Sequence, residues 1–173
     1  MEKHKKCFGS CMDVKKKSLF LLLVCVMIGI VLLVGAVFLF HGRASCLTMP
    51  ATEMDIGGHE KLGMHIHQHL HVIIDGVEQE IPAGIGLSFE AMRPVHSHDA
   101  TGKIHVEAHC DRDFTLGDFF DIWGEQFTSS CVLDSCIESG TLTMTVNGVP
   151  NAEFRNHILT DDDDIVITYA RHS

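Results

Sequence analysis

Three kinds of apolar spacing divide this chain. Leu19 to Phe40 is an unbroken apolar run of 22 residues without a charge. As a helix it spans roughly 33 Å, enough to cross a bilayer and too long for a signal-peptide core. From His65 the period is two. Ile66, Leu70, Val72 and Ile74 fall on one side of a strand, and His65, His67, His69 and His71 on the other. Asp75-Gly76 then predicts a tight turn, with Val77, Gln79 and Ile81 on the returning strand. Val95 to His98, the loop Asp99 to Gly102, and Lys103 to His109 predict a second hairpin in which His96 faces His105. Ile104, Val106 and Ala108 form its apolar side.

Between Thr115 and Phe127 the period becomes helical, with Leu116, Phe119, Phe120, Trp123 and Phe127 on one face. Thr115 and Asp118 resemble a capping box. Gly117 and Gly124 suit close packing onto a sheet, and Trp123 is the expected core anchor, so that Trp123→Ala would unfold the domain. Ser129 to Gly140 reads as a cysteine-bearing loop, Thr141 to Val146 as a strand, and Asn147-Gly148 as a turn into Val149 to Phe154. Asp161 to Asp164 reads as a solvated acidic turn, and Ile165 to Ala170 as a last strand. The expected fold is α+β: a single-pass transmembrane helix, then one mainly antiparallel β domain with one covering helix, in a β-grasp-like order. The boundaries are a basic tail (1–18), the span (19–40), a linker (41–63) and a histidine-rich domain (64–173).

Charge sets the sidedness. Lys3, Lys5, Lys6, Lys15, Lys16 and Lys17 precede the span and Arg43 alone follows closely, which places the N-terminus in the cytoplasm. Gly42 and Ala44 also permit cleavage after Ala44, but an uncleaved anchor fits the long run better. The 173 residues hold 23 acidic and 13 basic ones, for a net charge of −10. Only two of the acidic residues precede the outer domain, against seven of the basic ones, so that domain stands at about −15. Such a balance excludes a nucleic-acid binder and favours cations. Cys7 and Cys11 lie inside, Cys25 lies in the span, and Cys46, Cys110, Cys131 and Cys136 lie outside. Four cysteines allow three pairings; Cys131 and Cys136 suit a loop-closing disulfide rather than a redox pair.

The 13 histidines carry the chemistry. Neutral imidazole is the commonest metal-ligating side chain. Residues two apart on a strand stand about 6.6–7 Å apart, so one H-x-H pair can close on an ion, whereas His65, His67, His69 and His71 together span roughly 20 Å. One ion would therefore take one or two of these and recruit His96, His98 and His105 from the second hairpin. Asp99 and Glu107 offer oxygen ligands or acceptors for imidazole N–H groups. Strand faces also use histidine as a plain polar residue, and His59, His109, His157 and His172 read that way; His4 and His41 have no expected role. Copper fits a site outside the cell, with thioethers from Met49, Met54, Met64 and Met92, although these methionines equally suit packing. Zinc fits three histidines with water or a carboxylate.

The segments His96-Ser97-His98-Asp99-Ala100-Thr101-Gly102 with Ile104-His105-Val106-Glu107, and Phe114-Thr115-Leu116-Gly117-Asp118-Phe119-Phe120 with Trp123-Gly124, resemble a family of exported or membrane-anchored prokaryotic proteins. Those proteins carry H-T-H-D-A-T-G-x-I-H-[VI]-E followed by F-T-L-G-x-F-F-x-x-W-G. The resemblance covers about two thirds of the chain, from His65 onward, with Ser97 in place of Thr. It implies export and a shared fold, and brings no activity.

Three functions follow from the residues. The first is a membrane-anchored copper or zinc protein for storage, delivery or sensing, which would exchange its ion with a protein partner. The second is a metal-dependent enzyme using Glu107 or Asp99 as base. The chain has no H-E-x-x-H, G-x-S-x-G or phosphate-loop motif to support it. The third is an interaction module whose histidines sense pH.

Overall fold

The computed structural model describes residues 8–60 and 62–172, and side chains outside residues 8–15 and 40–45. The expected roles of Lys3, Lys5, Lys6 and Cys7 fall outside the described residues. The chain divides into two units, Met1–Ala44 and Ser45–Ser173. Helix α1 runs Phe8–Thr48, and within its stretch Lys16–Leu39 the mean hydropathy reaches 3.2 over 18 residues, so that the stretch is long and apolar enough to cross a membrane. Its described side chains from Lys16 to Leu39 are exposed, as an apolar helix with no protein packed around it must be.

The second unit is a mixed sheet with one α-helix and a single 3₁₀ turn at Phe154–Asn156 among the described residues. β1 (Met64–Ile74) turns at Asp75-Gly76 into the short β2 (Val77–Gln79). β3 (Val95–His96) pairs with β4 (Lys103–Ala108), and β4 pairs antiparallel with the first half of β1. Helix α2 (Leu116–Trp123) follows. Cys131–Val132 and Ser135–Cys136 form a two-stranded ribbon, β5 and β6, inside the expected loop. β7 (Gly140–Val146), the two-residue β8 (Val149–Pro150) and β9 (Asp164–Arg171) complete the sheet, in the order β3-β4-β1-β9-β7-β8. β1 and β9, first and last in the chain, run parallel side by side, and the other pairings are antiparallel. This is the β-grasp-like order expected from the pattern.

Period two sets the faces of the sheet. Leu70, Val72, Ile104, Val106, Ile165 and Ile167 lie within the core, to which α2 adds the buried Leu116, Phe119 and Phe120. The capping box forms: Thr115 Oγ1 accepts from the Asp118 N–H at 3.2 Å, and the Thr115 N–H donates to Asp118 Oδ2 at 2.7 Å. The helix ends at Trp123, four residues before Phe127, because Gly124 takes a left-handed φ of 83° and its N–H returns to the Phe120 carbonyl. Gly117 does pack tightly, against the Arg155 backbone, but a side chain at Gly124 would meet open space. Gly124 therefore serves the turn, and Gly117 serves the packing.

The segment read as a linker is part of the domain from Cys46 onward. Cys46 is bonded to Cys110, and Ala51, Met54 and Ile56 are buried. The Ile56 N–H donates to the Met92 carbonyl at 2.9 Å, and Arg93 Nη1 donates to the Met54 carbonyl at 3.1 Å. Its Gly and polar content hid three core positions with no regular period. The second disulfide is Cys131–Cys136, as the spacing suggested.

Candidate metal centre

Register builds the centre. His67 pairs with His105 across β1 and β4, and His105 pairs with His96 across β4 and β3. Three imidazoles thus stand in one row over three adjacent strands. One step along, His65 pairs with Glu107. Alternation keeps all five side chains on the face opposite the apolar core. Ser97 holds the edge of the row: its hydroxyl donates to the Pro82 carbonyl at 2.9 Å, and its backbone bonds Gly84 and Ile85. That loop fixes where His96 and His98 project.

Two groups of three histidines have ligand atoms within 4.8 Å of one another: His65, His67 and His105, and His96, His98 and His105. His65 Nε2 is 3.1 Å from His67 Nε2, and His96 Nε2 is 3.2 Å from His98 Nε2. Among the described residues these histidine groups could hold a metal ion.

Glu107 lies beneath them, 1 % exposed. Its Oε2 is 2.7 Å from His59 Nδ1. Its Oε1 is 3.1 Å from His65 Nε2 and 3.9 Å from His105 Nδ1, yet has no hydrogen-bond partner. A buried carboxylate oxygen left without a bond is costly unless a cation satisfies it. The centre thus has a buried floor, Glu107 and His96, and an exposed rim, His59, His65 and His98.

The other candidates lie elsewhere. His69 is exposed near the middle of β1, and its N–H donates to the Asp163 carbonyl. His71 Nδ1 is 2.6 Å from Glu78 Oε1, on the β2 side of the strand. Asp99 accepts from the Thr101 N–H at 3.0 Å and from the Thr101 hydroxyl, which closes its own loop. Met54 is buried, and Met49, Met64 and Met92 pack against the core, so these methionines act in packing.

His59 was read as an isolated polar residue and is a neighbour of the centre. Its ring lies 5.8 Å from His98 and 6.3 Å from His96. Forty-eight residues separate it from Glu107, so no local period could place it; its segment is tied down on both sides, by the Ile56 N–H to the Met92 carbonyl and the Gly63 N–H to the Ala108 carbonyl at the end of β4. The acidic turn is likewise structural. Asp161 Oδ1 accepts from the His67 N–H at 2.9 Å. Asp163 is buried and bonds His157 Nε2 at 3.0 Å and the Thr160 hydroxyl at 2.8 Å.

Burial and mutual repulsion keep the row neutral. His105 is pushed down to about 4, chiefly by burial, then by His67, His98, His96 and Lys103. His96 is lowered by burial, against the Arg93 carbonyl and Glu107. His67 is lowered by burial and Lys103, against Asp161 and Glu107. Unfolding raises each toward the ordinary value near 6.5, so the unfolded chain binds more protons between about pH 4 and 6.5. The stability these groups contribute is present above pH 6.5 and lost as pH falls toward 4. The metal-free chain should melt at a lower temperature at pH 5 than at pH 7.5, and His105→Ala should flatten that dependence. Circular dichroism melts decide it, and a melting temperature that rises on acidification contradicts it.

The chain matches no protein-family model, no curated protein and no solved structure.

Proposed function

We propose that this protein is a membrane-anchored metal-binding protein whose histidine face holds copper(II) or zinc outside the cell, for storage, delivery or sensing. The observation that carries the reading is the convergence of five histidines, four from three adjacent strands and His98 from the loop after β3, over a buried carboxylate with an unsatisfied oxygen. The donors are nitrogen and oxygen, which suits zinc and copper(II). The methionines that would favour copper(I) are committed to the core. The exposed rim favours exchange with a partner over permanent sequestration. A charge switch of this row fits poorly, because burial lowers His67, His96 and His105, the last to about 4. The long apolar helix supports an anchor, the lysines before it favour an outer domain, and the disulfides suit an oxidising compartment there. In this reading the chain shares its fold and export with the prokaryotic family it resembles.

The full chain, purified in detergent with a histidine-free tag and no chelator, should retain copper or zinc, or take it up on titration. Mass-spectrometric metal content after gel filtration measures this. A chain that carries no ion and takes up neither metal would overturn the reading.

A further inference from the structure

We propose that the centre binds two metal ions, one at the His65–His67 pair and one at the His96–His98 pair, with His105 between them. The inference rests on the metal-binding reading above and concerns how many ions the face takes.

The spacing of the strands separates the pairs. β4 lies between β1 and β3, and adjacent strands stand about 4.7–4.9 Å apart, so His67 and His96 arise about 9–10 Å apart. Each histidine has instead turned toward the neighbour two residues away on its own side. Two nitrogens on one tetrahedral ion, each at about 2.0–2.1 Å, stand about 3.3 Å apart. The observed 3.1 Å between His65 and His67, and 3.2 Å between His96 and His98, already have that spacing. Without metal one Nε2–H of each pair donates to the other ring's Nε2, and a bound ion would require that hydrogen on the same ring's Nδ1, so that both Nε2 lone pairs face the ion.

The two groups meet only in His105. Its ring lies 4.5 Å from His67 and 4.7 Å from His98, nearly perpendicular to both. With two ring nitrogens it can serve either side. Glu107 belongs to the first ion, because its Oε1 lies 3.1 Å from His65 Nε2. His59 stands beside the second, its ring 5.8 Å from His98. Two dications bring four positive charges to a domain of about −15, so the field of the domain favours the second ion as well as the first.

The test counts ions on the full chain in detergent. The chain is loaded with zinc, freed of excess by gel filtration, and assayed by mass spectrometry against protein concentration. The parent chain should hold two zinc ions. His65→Ala/His67→Ala and His96→Ala/His98→Ala should each hold one, and His69→Ala/His71→Ala should still hold two. One ion on the parent chain would overturn the two-ion inference and leave metal binding intact. None would remove both. A fall to one in His69→Ala/His71→Ala would put an ion outside the assigned pairs and overturn the assignment. Near-UV circular dichroism checks that each variant folds, and the count on the parent chain decides the number without any variant.

Discussion

Phe120→Ala should cost the outer domain about 3–5 kcal/mol, a large share of the stability of an ordinary domain. Phe120 is fully buried, and its ring lies 4.5 Å from Phe127 in a stacked pair, 5.5 Å from Trp123 and 6.0 Å from Phe119. It closes the apolar face of α2 over the sheet. Removing it leaves a cavity that rigid strands on one side and the Phe127 loop on the other cannot fill. The helical period alone made Trp123 the anchor. Trp123, the last residue of α2, is only half-buried. Trp123→Ala should therefore cost clearly less than Phe120→Ala. Urea unfolding of the two variants ranks them, and a Phe120→Ala chain within about 1 kcal/mol of the parent would contradict the packing described.

His105→Ala should weaken metal binding more than any other single histidine substitution. His105 is the one residue shared by both histidine groups and lies at the centre of the row. Losing a mere hydrogen-bond partner of a ligand typically costs about 10–100-fold in affinity, so losing this ligand should exceed 100-fold. His71→Ala, with its imidazole paired to Glu78, should bind as the parent does. Competition against a chromophoric chelator measures both. Parent-like affinity in His105→Ala would place the ion elsewhere. Its side chain is 17 % exposed and its neighbours are polar, so the domain should remain folded, which a melt checks.

Much of this was legible in the chain because the signals are local. An apolar run of 22 residues is long enough for a membrane whatever surrounds it. Alternation along His65 to Ile74 settles which side chains share a face, since successive strand residues must point oppositely. The Asp75-Gly76 turn, the pairing of His96 with His105 and the Thr115–Asp118 capping box each involve residues close in sequence, and each formed as expected.

Period two says which face a histidine occupies and nothing about which strand lies beside it. Only tertiary pairing put β4 against the first half of β1, and so drew His65 and His67 to the centre while leaving His71 to β2. Contacts distant in sequence, the Cys46–Cys110 bond, the packing of Met54 and Ile56 and the Gly63 N–H to the Ala108 carbonyl, make core of an apparent linker and hold His59 beside Glu107. The burial of Glu107 arises from segments 48 or more residues away in sequence or across strands. The main elements, their faces and the metal-ligating character of one face are written in the residues themselves, because these depend on neighbours within a few positions. The tertiary structure decided which of the histidines meet, because long-range contacts are chosen by the whole core at once.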